Sequence, residues 1–474
     1  MKGDFSRSTF NRAKHYTRLL MQQGRVHLDA DWNEQADIQA YFLRSLAMDL
    51  IGAHGGPVDN CGFEISAPAN SGHNGISKPD LPRAGDFVVG RGRYYVNGIL
   101  CENESDCLFS KQPYASPSLL KVGRYLIYLD VWERHITHLE DPSLREVALG
   151  GPDTTTRLQV VWTAKARQLD LGEPYLPAFL KKFYWRAWLR RTWKKWLGTL
   201  DPDQHGYLKV RCESPVAEAL ASLSHSSAGG YQGLENHLYR VEIHTSSLDQ
   251  PGVPAGATFK WSRENGSVVV PIINMKAKST SNTTDIFIRH DHLGRSLELF
   301  EGDWVEIVDD DSVLQGIAEP LHTVISFDQE QMCVTVAGQP HSGTGKDSGK
   351  RPLLRRWDQK EDQLGGGGDF IEGAVRLVEK EAENENWLPL EQGILVQFQP
   401  GGLYRTGDYW QFPARTETRN VEWPAEPDEL GNPTPLAQPP GGIHHHFAPL
   451  AILSVHRNGK LDITDLRRTF GLIR

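Results

Sequence analysis

The chain lacks the features that mark disulfide-bonded, secreted and membrane-spanning proteins. Its five cysteines are odd in number and form no Cys-x-x-Cys pair, which argues against a disulfide framework and a thiolate zinc site. The first residues contain no apolar core of a secretory signal. No run approaches the roughly 18 apolar residues of a transmembrane helix. We therefore expect assembly in a reducing cytosol.

Basic residues are outnumbered, with 51 Lys and Arg against 60 Asp and Glu, so the formal net charge is −9. Because nucleic-acid binding requires neutralisation of phosphates by a basic surface, we expect no nucleic-acid partner. Glycine (45), proline (28) and tryptophan (13) are plentiful, which favours short strands joined by tight turns.

The apolar pattern predicts one long helix near the N-terminus. Residues 1–28 alternate irregularly and predict an extended arm, after which the pattern becomes helical. Asp29 or Asp31 can cap the start of this helix, and Gly52 ends it. We expect Trp32 to lie in the core; the alternative is that Asp29, Asp31, Trp32 and Glu34 bind a partner or a metal.

The remaining pattern predicts a mainly β fold of several small antiparallel sheet or barrel modules. Hairpin signals occur at Asn97-Gly98 and Asn265-Gly266, where positive φ angles are easily adopted. The predicted units are an arm and helix at 1–52, a β module at 84–166, an insertion at 167–235, a β module with a barrel-like part at 236–345, and a C-terminal β module with a docking tail at 369–474.

The insertion contains a basic, aromatic segment. Residues 181–196 include seven basic and six aromatic residues and no acid, and at helical spacing most of the aromatic residues share one face. Such a helix suits a membrane surface or another subunit. The alternative is that the aromatic side chains pack on the body of the protein. The candidate contact residues are Trp185, Trp188, Arg190, Arg191, Trp193, Lys194 and Trp196.

Two patterns suggest chemistry. His444 and His446 would share one face of a strand, so two imidazoles per chain at an oligomer axis are a candidate metal site. The alternative is a His-rich turn packed on Trp423 or Phe447. Glu133 and His135 also share a strand face, but nothing else completes a catalytic site. We therefore expect no enzyme activity and no other cofactor.

Five segments resemble one protein family. They are KGDFSRSTFNRAKHYTRLLMQQGRVHLDADWNEQADI, YLDVWERHITHLEDPSLREVALGGPDTTTR, FKWSRENGSVV, GDYWQFPARTETRNVEWP and GIHHHFAPLAIL. The family is bacterial, has no known activity, and is encoded near the sheath, tube and baseplate genes of phage-tail-like contractile injection systems. The resemblance covers residues 1–165 and 236–474, and leaves the basic aromatic segment as an insertion.

The resemblance implies a structural component of such a particle, at the baseplate, the spike periphery or a fibre attachment. It would be assembled in the bacterial cytoplasm and then become part of the particle, with other subunits and further copies of itself as partners. It carries no catalytic residue over. Two alternatives are a particle-delivered cell-wall or polysaccharide enzyme and a membrane-surface anchor. The candidate docking residues are Phe5, Arg7, Phe10, Tyr16, Arg467, Arg468 and Phe470.

Overall fold

The computed structural model confirms the mainly β fold, with 41% strand and 17% helix. The residues that it describes are 1–68, 85–169, 178–200, 205–212, 230–246, 256–289, 299–340, 343–360, 369–378, 387–429 and 431–471.

The α-helices of the described residues are α1 (Asp29–Ile51), α2 (Ala178–Leu200) and α3 (Asp310–Gln315). The bounds of α1 confirm the predicted helix, and Gly52 follows it with a φ of 87°. The predicted cap is wrong, because the N-cap is Leu28 and no side chain caps the helix. The carboxylate of Asp29 instead accepts a hydrogen bond of 2.9 Å from the backbone N–H of Ser6.

The described strands follow in chain order. They are β1 (His54–Pro57), β2 (Ile65–Ser66), β3 (Val88–Val89), β4 (Gly92–Val96), β5 (Ile99–Asn103), β6 (Cys107–Leu108), β7 (Gly123–Ile136), β8 (Arg157–Gln168), β9 (Leu208–Cys212), β10 (His237–Thr245), β11 (Thr258–Ser262), β12 (Val269–Lys278), β13 (Thr283–Ile288), β14 (Trp304–Val308), β15 (Leu321–Asp328), β16 (Cys333–Ala337), β17 (Leu353–Trp357), β18 (Phe370–Ile371), β19 (Ala374–Arg376), β20 (Leu388–Pro389), β21 (Ile394–Phe398), β22 (Tyr409–Arg415), β23 (Asn420–Val421), β24 (Ala425–Pro427), β25 (Pro433–Pro435), β26 (His446–Val455), β27 (Leu461–Asp465) and β28 (Thr469–Phe470).

Three sheets share the first hydrophobic core. Their strand orders are β28-β1-β4-β5, β27-β26-β7-β8 and β2-β3-β6. The Asn97-Gly98 turn joins the paired strands β4 and β5, which confirms the first predicted hairpin. The core between the sheets contains Phe63, Phe87, Tyr94 and Trp162.

The middle of the chain forms a barrel and a two-layer sandwich. The closed barrel has the order β12-β13-β16-β15-β14-β17, and its interior is aliphatic. In the sandwich, the six-stranded sheet β18-β19-β11-β10-β22-β23 shares a core with β20-β21-β9. The second predicted hairpin differs from the structure, because Asn265-Gly266 joins β11 of the sandwich to β12 of the barrel.

The C-terminal region does not form one module. Strands β18 to β23 complete the sandwich begun by β10 and β11, whereas β26 pairs with β7 and β28 pairs with β1. The reason is that eight of the ten residues of β26 are buried. A strand that is buried on both faces is favoured in the middle of a sheet, with other elements packed on each face. The structure therefore distributes residues 369–474 over several sheets.

Candidate functional site

The N-terminal arm has a docked part and an exposed part. In the docked part, the Lys2 ammonium lies 2.9 Å from Glu242, and the ring of Phe5 contacts His135 edge-on. Arg7 pairs with Glu422 at 3.4 Å, and Phe10 packs on Tyr41 of α1. Phe5, Arg7 and Phe10, which the sequence assigned to neighbouring subunits, are thus held by the chain's own body.

The exposed part of the arm presents apolar side chains to solvent. Leu20 and Val26 are 74% and 82% exposed, and Tyr16 and Met21 are exposed as well. This part is held near α1 by a hydrogen bond from the N–H of Leu19 to the side chain of Gln35 and by the guanidinium of Arg12 over the ring of Tyr41. Tyr16 therefore remains a candidate docking residue.

One stripe of α1 is also apolar and uncovered. Trp32, Leu43, Leu46 and Leu50 are 56% to 69% exposed. At 100° per residue these four side chains fall within about 60° of one another on the helix surface. The prediction that Trp32 lies in the core is wrong, because α1 buries its opposite side, at Ala30, Glu34 and Ile38. The exposed arm and this stripe together are called the arm–helix surface.

The C-terminal docking residues also contact the chain itself. The Arg467 guanidinium pairs with Asp465 at 3.0 Å and donates to the carbonyl oxygens of Cys61 and Gly62. The backbone N–H of Arg468 donates to the hydroxyl of Tyr94. Phe470, in β28, packs edge-on against Tyr95. These contacts join the C-terminal residues to the sheets around the first core, so the side chain of Arg467 in particular is not available to a neighbouring subunit.

The aromatic face of α2 packs on the body. Trp185 is 3% exposed and belongs to a cluster with Leu126, Ile452 and Leu466, on the side of β7 and β26 that faces away from the first core. Trp188, Trp193 and Trp196 are partly buried against the same cluster. The predicted contact of these tryptophans with lipid or a partner is therefore corrected to an internal one. Arg191 and Lys194 are exposed, and the side chain of Arg190 lies outside the described residues.

The two candidate metal ligands are not on one strand face, because β26 begins at His446 and His444 precedes it. His446 Nδ1 lies 3.1 Å from the side-chain nitrogen of Asn97. Burial, with the charges of neighbouring residues, lowers the pKa of His446 to about 4. Within the described ranges, no three His, Cys, Asp or Glu side chains gather closely enough to hold a metal ion. A metal at an oligomer axis stays a prediction.

The candidate acid and base on β7 have structural partners. Glu133 forms an ion pair of 2.6 Å with Arg44 of α1. The Nε2 atom of His135 lies 2.9 Å from the hydroxyl of Thr156. Burial lowers the pKa of His135 to about 3, so the imidazole is neutral near pH 7. Both side chains hold β7 to its neighbours.

A group of charged residues that the sequence did not single out lies where the barrel, the sandwich and the docked arm meet. Glu242 of β10 accepts Lys2 at 2.9 Å, Arg240 at 2.6 Å and Lys260 at 3.5 Å. Lys260 also pairs at 2.6 Å with Glu306 of β14. These residues, together with Arg355 of β17, are called the charge cluster.

Strand alternation explains why these charges meet. Successive side chains of β10 point to opposite faces of the sheet. Tyr239, Val241 and Ile243 enter the sandwich core, so Arg240 and Glu242 face the barrel. The only signal in the sequence is the alternation Arg-Val-Glu-Ile, which predicts a half-buried strand and not its partners.

Burial and mutual attraction set the ionisation of the charge cluster. Burial alone would raise the pKa of Glu242, but Lys2, Arg240 and Lys260 outweigh it and hold the pKa well below its usual range. For Glu306, Lys260 and Lys2 likewise overcome burial and lower the pKa to about 2. Burial, opposed by Glu242, lowers the pKa of Lys2 to about 7. Both carboxylates are therefore ionised near neutral pH, while Lys2 titrates there.

The charge cluster lies at a cleft of about 1140 Å³. One wall is α1, another is β7 with Trp132 and Glu133, and the floor includes Lys2, Arg240 and Arg355. His444 and His446 stand at the same cleft. Its size suits a small molecule or a partner's loop.

A family model described as a family of unknown function (DUF6519) matches residues 1–177 and 222–459. These segments make up most of the sequence, so the chain belongs to that family. No curated protein and no solved structure matches the chain. The unmatched residues 178–221 contain α2 and β9, and lie within the segment that the sequence indicates as an insertion.

Proposed function

We propose that this family member is a structural component of a phage-tail-like contractile injection particle, at the baseplate, the spike periphery or a fibre attachment, and that it acts through subunit interfaces. The observation that carries the proposal is the arm–helix surface, on which large apolar side chains of two adjacent segments lie in solvent. A group of large apolar side chains left exposed in this way favours a site of association in a soluble protein. The five quoted sequence segments support a partner from such a particle.

The charge of the exposed arm defines the complementary surface. Residues 12–28 contain Arg12, Lys14, Arg18 and Arg25 and no acidic residue. The partner surface would therefore be an apolar groove with an acidic rim, because a basic rim would repel the arm. Other particle subunits and further copies of this chain are the proposed partners, joined in the bacterial cytoplasm and retained in the particle.

The test replaces the stripe of α1 by polar residues. A triple variant, Leu43→Gln, Leu46→Gln and Leu50→Gln, should remain folded, because these side chains contribute little burial within the chain. It should lose incorporation into purified particles, measured by quantitative immunoblotting. The matched control is Val147→Ser with Leu149→Ser, which removes two apolar residues elsewhere that are at least as exposed, and it should leave incorporation unchanged. Normal incorporation of a folded triple variant would refute the proposed interface.

A second candidate function, contact with an anionic membrane surface, is favoured by one observation on α2. Phe183 and Tyr184 are exposed beside the exposed basic residues Arg186, Arg191 and Lys194. In the described residues, no helix combines the length and apolar content needed to cross a bilayer, so this contact would be peripheral. Binding to vesicles containing phosphatidylserine should be lost in Phe183→Ser with Tyr184→Ser. Equal binding of that variant would remove this candidate.

A further inference from the structure

The charge cluster contains twice as many cations as carboxylates. Lys2, Arg240, Lys260 and Arg355 face Glu242 and Glu306. The two oxygens of Glu242 accept from Lys2 and Arg240, and Lys260 approaches one of them. The two oxygens of Glu306 accept from Lys260 at 2.6 Å and from the indole N–H of Trp357 at 2.9 Å. Each of the four carboxylate oxygens therefore already has a partner other than Arg355.

Arg355 is the one of these four cations that forms no ion pair with Glu242 or Glu306. It lies opposite Glu306 in the register of β14 and β17, yet it makes no hydrogen bond or ion pair with any residue that the structure describes. Its Nε atom is buried without a partner. The next carboxylate whose charge acts on it is Glu140, and one oxygen of Glu140 already accepts from the backbone N–H and hydroxyl of Thr137. An unpaired, partly buried guanidinium is costly, so a ligand that pairs with it binds favourably.

Arg355 and Lys2 stand side by side at the floor of the cleft. A Cβ atom placed on Gly266 would lie 3.6 Å from Cδ of Lys2 and 3.8 Å from Cδ of Arg355, so the two chains flank the same glycine. The side chain of Lys2 keeps 27% of its surface exposed, although its ammonium is paired with Glu242. A molecule in the cleft can therefore reach both cations.

We propose that this cleft binds a small oxyanion, a phosphate or a carboxylate group, through the guanidinium of Arg355 with the ammonium of Lys2 beside it. Arginine presents two parallel N–H groups that match two oxygens of either anion. The partly buried surroundings strengthen the interaction relative to water. This site is independent of the arm–helix surface and goes beyond the proposed structural role.

A bound anion has a second, measurable consequence at Lys2. Negative charge beside an ammonium favours its protonated form. The anion should therefore move the pKa of Lys2 upward from its lowered position. This effect reports occupancy of the site, and not merely stability of the fold.

The experiment titrates the full chain with sodium phosphate in one arm and sodium succinate in the other, at pH 7 and constant ionic strength set with sodium chloride. We expect a saturable rise in melting temperature and saturable heat in calorimetry with one or both anions, and the tighter arm identifies the oxyanion. Arg355→Gln should weaken binding roughly tenfold or more, since a charge-assisted pair is lost. The matched control, Arg351→Gln, removes another guanidinium that lines the cleft but is paired with Asp310 at 2.6 Å, and should bind like the original chain.

The titration of Lys2, followed by ¹³C NMR of reductively methylated protein and assigned with Lys2→Arg, tests the proposal without a variant of Arg355. An upward shift of its pKa with the binding anion supports the site. The proposal is overturned if neither anion gives saturable binding, if Arg355→Gln binds as tightly as Arg351→Gln, or if Lys2 titrates identically with and without the anion.

Discussion

The helices α1 and α2 are each 23 residues long, yet they differ in whether their large apolar side chains are buried or exposed. α2 buries Trp185 against Leu126 and Ile452, whereas α1 leaves Trp32 and Leu43 in solvent. The difference lies in the surface beneath each helix. Strands β7 and β26 are apolar on both faces, so the side away from the first core requires cover, and α2 provides it. The docked arm and the cleft lie against the inner side of α1, whereas the side chains of its outer stripe are 56% to 69% exposed.

The largest effect on stability is expected when one tryptophan of each helix is replaced by alanine. Trp185→Ala should lower the free energy of unfolding by about 3–5 kcal/mol, because it leaves a cavity in a packed cluster. Trp32→Ala should change it by about 0.5 kcal/mol or less, because the side chain is exposed. Denaturation in urea measures both. Equal losses in the two variants would contradict the assignment of buried and exposed faces.

A smaller effect concerns pH on the α1 side. His446 lies near Arg44 of α1, and His54 follows the end of that helix; burial lowers the pKa of each to about 4. Between pH 6.5 and pH 4 the unfolded chain takes up protons that the native state does not, so stability falls as the pH falls through this window.

For His446 alone we expect a loss on the order of 3 kcal/mol over that window, and this part of the loss should disappear in His446→Gln. Hydrogen exchange should show α1 opening before α2. The control is His27→Gln, in the exposed part of the arm, which should leave the pH dependence as it is. If His446→Gln leaves the slope of the unfolding free energy against pH unchanged, His446 does not contribute to the loss of stability in acid.

The smallest expected effect is at the helix starts. α1 begins with Asp29 and Asp31, whereas α2 has no acidic residue in its first turn. Asp29→Ala removes both the bond to the Ser6 N–H and a favourable charge at the helix N-terminus, and should cost about 0.5–1 kcal/mol. Asp31→Ala, which removes the charge alone, should cost less. Proteolysis of residues 1–10 should become faster in the first variant and not in the second.

The sequence was sufficient for elements defined by local chemistry. The span of α1 follows from its apolar spacing and from Gly52, and the β4–β5 hairpin follows from Asn97-Gly98, both with positive φ angles. It was not sufficient to say which apolar face a helix buries. Trp32 and Trp185 lie in similar apolar patterns, and whether each side chain is buried depends on strands that are distant in the chain.

The charge cluster was out of reach for the same reason. Lys2 and Glu242 are neighbours only because the arm returns to β10, and Lys260 meets Glu306 only because the sandwich and the barrel are in contact. No spacing rule connects residues brought together in this way. The alternation along β10 was visible, but the identity of the surface that it faces was not.

The pairing of β7 with β26 constrains the order in which the protein can form. Asp130 and His445, which are hydrogen-bonded across these strands, are 315 positions apart. At a synthesis rate of about 5–20 residues per second, β26 leaves the ribosome roughly 15–60 s after β7. The barrel and all nine described strands of the sandwich emerge in that interval and can fold first. The sheets around the first core cannot be completed until the last strands are translated, and until then one edge of β7 stays unpaired and accessible to chaperones.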